Sequence, residues 1–174
     1  MGNNAIPPLI LTIEIPAGEL AYFDDLRQQH FPVARNYLTA HLTLFHALPN
    51  TVAIIKRVQQ ECKTTGSFVM QVVGPVSLGN GVAYKLESPA LLKIHKRLKN
   101  DWKEMLTPQD SQNIWPHITV QNKVSAGEAS SLLNNLKECF TPFIVQATGL
   151  QLWEYRNGPW KFVSTVPFKN QPED

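Results

Sequence analysis

Two quartets of one form, His41-Leu42-Thr43-Leu44 and His117-Ile118-Thr119-Val120, lie 76 residues apart in a chain of 174. Each reads His, apolar, Thr, apolar. On an extended strand successive side chains point to opposite faces, so each imidazole shares a face with the Thr two residues on, and the apolar residues share the other. Each quartet therefore asks for a strand with one wet face and one dry face. With 5 His, 11 Thr and 43% hydrophobic residues, about 0.06 such quartets are expected by chance. Two matched copies need a common cause.

The surrounding chain supplies it. Leu9 to Ile15, closed by Pro16, reads as a strand, and Glu19 to Gln29 as a helix with Leu20, Phe23 and Leu26 at helical spacing. Ala40 to Ala47 is the first motif strand. Val52 to Cys62 follows as an amphipathic helix carrying Val52, Ile55, Val58 and Gln59 on one face. Phe68 to Leu78 is a strand, Gly79-Asn80-Gly81 a hairpin signal, and Val82 to Glu87 the returning strand. The order then repeats. Ser88-Pro89 opens a helix to about Leu106, with Leu91, Leu92, Ile94, Leu98, Trp102 and Met105 as its apolar side. Trp115-Pro116 enters the second motif strand, and Ser125 with Glu128 forms a capping box for a helix to about Cys139. Phe143 to Glu154 reads as one long strand, Asn157-Gly158 as a tight turn, and Trp160 to Phe168 as the return.

Phe68-Val-Met-Gln-Val-Val-Gly74 lies over Phe143-Ile-Val-Gln-Ala-Thr-Gly149 at an offset of 75, close to the 76 that separates the motifs. A near-constant offset over motif and following strand indicates an internal duplication. The expected class is α+β, with two pseudo-symmetric lobes whose motifs face each other across a pseudo-twofold axis. No Pro/Gly/Ser-rich linker divides the copies, so residues 1–174 read as a single two-lobed domain.

The formal charge of +2 lacks the basic excess that long duplexes attract, which favours short nucleic acids or their ends. No charged leader with a long apolar run opens the chain. Met1-Gly2 is followed by Ile6 where an acylation signal wants Ser or Thr, so the expected location is the cytoplasm, with no membrane partner. Cys62 and Cys139, far apart and unaccompanied, argue against a zinc site or a disulfide scaffold and read as buried or idle thiols.

A neutral imidazole takes a proton and an imidazolium gives one, both near pH 7. Two His on opposite walls of a cleft can serve as base and acid for in-line displacement at phosphorus, while Thr hydroxyls hold the non-bridging oxygens. Such chemistry needs no metal or cofactor, and two His without a third ligand make a poor metal site.

HLTL and HITV at this separation, in a duplicated α+β chain of this length, resemble the two-histidine phosphoesterase superfamily, which includes the 2'-5' RNA ligase and cyclic phosphodiesterase branches. The stretches HFPVARN, LTPQD and PHITVQNK resemble a bacterial branch of it. The resemblance implies antiparallel sheets flanking a central cleft with helices outside, and metal-independent action, as a monomer, on 2',3'-cyclic or 2'-5' phosphate linkages of RNA ends or nucleotides. It implies His41, Thr43, His117 and Thr119 as catalytic residues. Better-known members carry a basic residue soon after the second Thr; here Gln121-Asn122 intervene before Lys123.

Strand parity adds Phe45 beside His41 and Thr43, and Trp115 and Gln121 beside His117 and Thr119, as walls on which a base could stack. Arg35 is a candidate phosphate clamp, Lys123 a candidate substrate contact and Tyr84 a candidate wall residue. His30, His46 and His95 read as structural or surface residues, Trp102, Trp153 and Trp160 as core, and the Lys93-to-Lys103 basic series as a solvated helix face. A nucleotide- or RNA-binding module of the same fold with little turnover is the alternative, though binding alone does not call for a matched acid and base.

Overall fold

β1 (Leu9–Glu14) is buried along nearly its whole length because it lies between two other strands. The computed structural model describes residues 6–169; Met1 and Gly2, weighed above for acylation, lie outside them. After β1 come α1 (Ala17–His30), β2 (Thr43–Leu48), α2 (Val52–Thr64), β3 (Phe68–Ser77), β4 (Val82–Glu87) and α3 (Pro89–Trp102). β5 (His117–Gln121), α4 (Ala126–Cys139), β6 (Phe143–Ala147), β7 (Gly149–Tyr155) and β8 (Trp160–Pro167) complete the order. Three helices start on hydroxyl caps: Thr51 accepts from the Ile54 N–H, Ser88 from Leu91, and Ser125 from Glu128 in a full capping box.

The strands form two four-stranded sheets, β2-β1-β7-β8 and β5-β4-β3-β6, antiparallel throughout. Each motif strand lies at one edge of its sheet. In the β3–β6 ladder Phe68 pairs with Ala147, Met70 with Val145 and Val72 with Phe143. Met70 and Val145 are equivalent under the 75-residue repeat, so each repeat strand meets its own counterpart, as a local twofold axis requires. The helices extend the exchange. α1 packs on β5, and α3 packs on β2 through His95 and Trp102 against Phe45, so the first helix of each copy covers the motif strand of the other.

The expected long strand Phe143 to Glu154 is two strands. β6 pairs with β3 in one sheet and β7 with β1 in the other, and the chain crosses between them at Thr148-Gly149. The Thr148 N–H donates to the Glu14 carbonyl at 2.9 Å, and a Cβ on Gly149 would lie 2.6 Å from the Val166 carbonyl oxygen. α3 ends at Trp102 rather than near Leu106, with Thr107-Pro108 following, and Leu92 and Met105 are exposed. α2 turns Ile54, Val58, Glu61 and Cys62 inward and leaves Val52 in solvent. Glu61 tolerates burial because the Arg57 and Arg97 guanidiniums bind its carboxylate, which they hold below its ordinary range against the opposing effect of desolvation. Cys62 is buried, which pushes its thiol up to about 12, whereas Cys139 is exposed. Among the described residues no helix is long and apolar enough to cross a membrane.

Candidate active site

Both motif strands carry the same irregularity. Thr12 pairs with Thr43 while Leu11 pairs with Phe45, so one step on β1 spans two on β2. Ala83 pairs with Thr119 while Val82 pairs with Gln121, so one step on β4 spans two on β5. Each is a bulge of one extra residue immediately after the Thr, and it reverses the facing of the residues that come next. Phe45 and Gln121, equivalent in the repeat, are both turned inward.

This overturns two expected wall residues. Phe45 is fully buried, stacked on His95 with ring centroids 4.7 Å apart and edge-on to Trp102 at 5.2 Å. Gln121 is buried and lines a separate recess with Gln29, His30 and Glu128. Tyr84 is corrected as well: fully buried, it shares a 2.9 Å hydrogen bond with the Tyr22 hydroxyl inside a cluster with Phe23 and Phe140, and burial raises its phenol well above the ordinary range. β4 is central in its sheet, so parity alone could not say which of its faces meets the cleft.

The motif side chains behave alike in the two copies. The His41 Nδ1–H donates to the Thr39 carbonyl at 2.7 Å, and the His117 Nδ1–H to the Trp115 carbonyl at 2.9 Å. A carbonyl only accepts, so each bond fixes the proton on Nδ1 and leaves Nε2 free to take or give one. Each imidazole also lies against an indole: Trp160 at 4.5 Å from His41, and Trp115, stacked, at 4.0 Å from His117. His41 and Thr119 border one recess, and Thr43 and His117 border the next, so each imidazole is matched with the hydroxyl of the opposite motif.

Burial lowers His41 to about 4, helped by the charges of Arg27, His117 and His46 and opposed by the bond to Thr39. His117 is lowered too, by burial first and by His46, against the bond to Trp115. The two imidazoles are thus near enough for a charge on one to be felt at the other.

The recess of His41 and Thr119 is basic: Arg27, Arg35 and Lys123 line it, with Asn122. Arg27, on α1, is buried, donates from Nη1 to the Thr119 carbonyl at 2.8 Å and lies over the Phe31 ring at 4.3 Å. It ties the helix of one copy to the motif of the other. Arg35 sits in a 3-10 turn (Val33–Arg35), and Lys123 follows β5 with a φ of 62°. Among the described residues no group of three or more His, Cys, Asp or Glu side chains is placed to hold a metal ion.

A family model described as the 2'-5' RNA ligase superfamily matches residues 16–159. The chain belongs to that superfamily. The fold is similar to those of TT0787 from Thermus thermophilus, with a TM-score of 0.69 at 14% identity, and of E. coli LigT complexed with 3'-AMP, with a TM-score of 0.60 at 15% identity. In both, 94% of this chain and 99% of the other are covered. A structure described as a phosphoesterase gives a TM-score of 0.59 at 16% identity, over the same shares. At these identities the likeness is one of fold, α+β with two four-stranded antiparallel sheets. No curated protein sequence matches the chain.

In this member of the 2'-5' RNA ligase superfamily, sequence parity passed over Arg27, Trp160 and His46, all of which border the cleft. Arg27 and Trp160 arrive from distant segments and carried no local signal. His46 had one: it is the repeat equivalent of Asn122, and both are polar.

Proposed function

We infer that the chain is a metal-independent phosphodiesterase or reversible RNA ligase acting on 2',3'-cyclic or 2'-5' phosphate linkages of RNA ends or nucleotides. The observation that carries this reading is the doubled polarisation of the imidazoles. Each has its Nδ1 proton committed to a carbonyl two residues back, and each has the opposite motif's Thr across its recess. Binding alone would not require two imidazoles with freed Nε2 atoms. The relative E. coli LigT is complexed with 3'-AMP, NADP+ and ATP, which supports nucleotides as the ligand class.

For hydrolysis of a 2',3'-cyclic phosphate, His41 takes the role of base, because the stronger depression keeps it neutral. Its Nε2 accepts a proton as water oxygen bonds to phosphorus. The bond from phosphorus to one ribose oxygen breaks, and the His117 Nε2–H protonates that oxygen. Thr43 and Thr119 hydroxyls donate to the non-bridging oxygens as charge builds there. Ligation is the same displacement with a ribose 5'-hydroxyl in place of water: His41 takes its proton as its oxygen bonds to phosphorus, the bond from phosphorus to the 3' oxygen breaks, and His117 protonates that oxygen, leaving a 2'-5' linkage.

The test is incubation of the purified protein with the four 2',3'-cyclic nucleotides and a 2'-5' linked dinucleotide, with and without EDTA. Turnover that survives chelation is expected, because proton transfer and hydroxyl hydrogen bonds supply the chemistry. Turnover lost to EDTA and restored by a divalent ion would refute the metal-free mechanism. Nucleotide binding without turnover of any of these substrates would favour the binding-module alternative.

The pH dependence has a definite sign. In the free protein His41 must be neutral and His117 protonated, so kcat/KM falls on the acid side as His41 gains a proton near 4 and on the alkaline side as His117 loses one below 6.5. A bell with its maximum on the acid side of 6.5 is expected, the two limbs belonging to the coupled pair. A single sigmoid, or a maximum above about pH 8, would contradict the assignment.

A further inference from the structure

We propose that His46, aligned by Asp110, is a third imidazole of the site, whose Nε2–H donates to the phosphate held between His41 and His117. The inference rests on the phosphate-transfer reading of the cleft. It begins with the bulge that buries Phe45, because the same bulge turns His46 to the side of Thr43 and His117. His46 borders a recess of about 290 Å³ with Thr43, Gln112, Asn113, Trp115 and His117. Its repeat equivalent, Asn122, borders the corresponding recess with His41 and Thr119. The repeat therefore places a polar side chain three residues beyond each Thr at the cleft.

Asp110 explains why this side chain is held rather than merely near. It is almost wholly buried, in the loop between α3 and β5, and takes the otherwise unpaired N–H groups of His46 and Ala47 at the edge of β2, at 2.8 and 2.9 Å. The same carboxylate receives the His46 Nδ1–H at 3.0 Å. With backbone and imidazole donors on its two oxygens it is an ionised acceptor, held below its ordinary range by His46 and the backbone bonds against desolvation. An acceptor beside Nδ1 fixes that nitrogen as the donor, so Nε2 is the atom left for a ligand. The Asp110 carboxylate is enclosed and bonded through both oxygens, so it is not presented to an anion in the recess. His46 does not replace the base or the acid. Its share is anion binding, beside the Thr43 hydroxyl on this side of the cleft.

Two substitutions separate this role from a structural tie. His46→Asn places an amide N–H near the Nδ1 position, keeping the bond to Asp110 and losing the outward donor. His46→Gln places an amide N–H near the Nε2 position and keeps the outward donor. The full chain and both variants are titrated with inorganic phosphate by calorimetry, with melting temperatures recorded alongside. His46→Asn should weaken phosphate roughly tenfold or more, the loss of one charge-assisted bond, while His46→Gln stays within about threefold of the wild type. If His46→Asn binds as the wild type does, if both variants fall together, or if the wild type does not bind phosphate, the proposal is wrong. The expected order of phosphate affinities in a wild type that turns over none of the cyclic or 2'-5' substrates would support this inference and reject the phosphodiesterase reading, so the two fail separately.

Discussion

His41→Ala and His117→Ala should each lower kcat by roughly 10² to 10⁴ on whichever cyclic or 2'-5' substrate is turned over, with nucleotide affinity changed far less. On the proposed mechanism the imidazoles act where protons move, which is in the transition state. On that mechanism ground-state binding falls to the other groups that border the recesses, among them the Thr hydroxyls, Arg27, Arg35 and Lys123, and the exposed indole of Trp115. Because both imidazoles serve one displacement, the double mutant should lose far less than the product of the single losses. His30→Ala is the control, since His30 ends α1 and borders a different recess, and it should stay within a few-fold. Steady-state kinetics with nucleotide binding by calorimetry would decide. Near-normal turnover in either motif mutant would show the reacting atoms to be elsewhere.

Gly81→Ala should be the most damaging change of a single methyl group. Gly81 closes the β3–β4 hairpin against the end of β5, and a Cβ there would stand 2.1 Å from the Gln121 carbonyl oxygen and 2.7 Å from the Asn122 Cα. Both are backbone atoms, so the strand rather than a rotamer must yield. The segment cannot move freely, because Asn80 holds it to Val124 through its side chain at 2.9 Å and its carbonyl at 3.2 Å. Overpacking of this kind costs about 3 kcal/mol, or a fall in Tm of roughly 6–12 °C in a protein of this size. Catalytic efficiency should fall as well, because the displaced residues begin two positions after Thr119 on the same strand. Gly127→Ala is the matched control: it lies in the first turn of α4 with nothing within 4 Å of the added carbon, and should be neutral or slightly stabilising. An unchanged Tm in Gly81→Ala would mean that the hairpin and β5 separate more easily than their bonds imply.

The repeat, most of the order of elements, the helix starts at Ser88 and Ser125 and the paired His-x-Thr pattern were legible in the sequence, because each rests on local chemistry. Alternation marks a strand with a buried face, Ser or Thr before a helix satisfies its first N–H groups, and Gly79-Asn80-Gly81 suits a tight turn. The offset shared by the motifs and by the Phe68 and Phe143 strands also pointed to the twofold relation that the Met70–Val145 pairing displays.

Facing beyond the bulges was not legible. Parity carries information only while the ladder stays in step, and an extra residue in β2 and β5 is set by how those strands pair with β1 and β4. One such residue in each copy moved Phe45 and Gln121 into the interior. Nor could sequence show that the run after Phe143 divides, since both halves look like strand and only the crossing at Thr148-Gly149 assigns them to different sheets. Local patterning was thus enough for the duplicated elements and the pair of His-x-Thr motifs. Their surroundings came from the assembled fold, because Arg27, Trp160 and Asp110 reach the cleft through contacts between segments tens of residues apart, and no local propensity encodes such meetings.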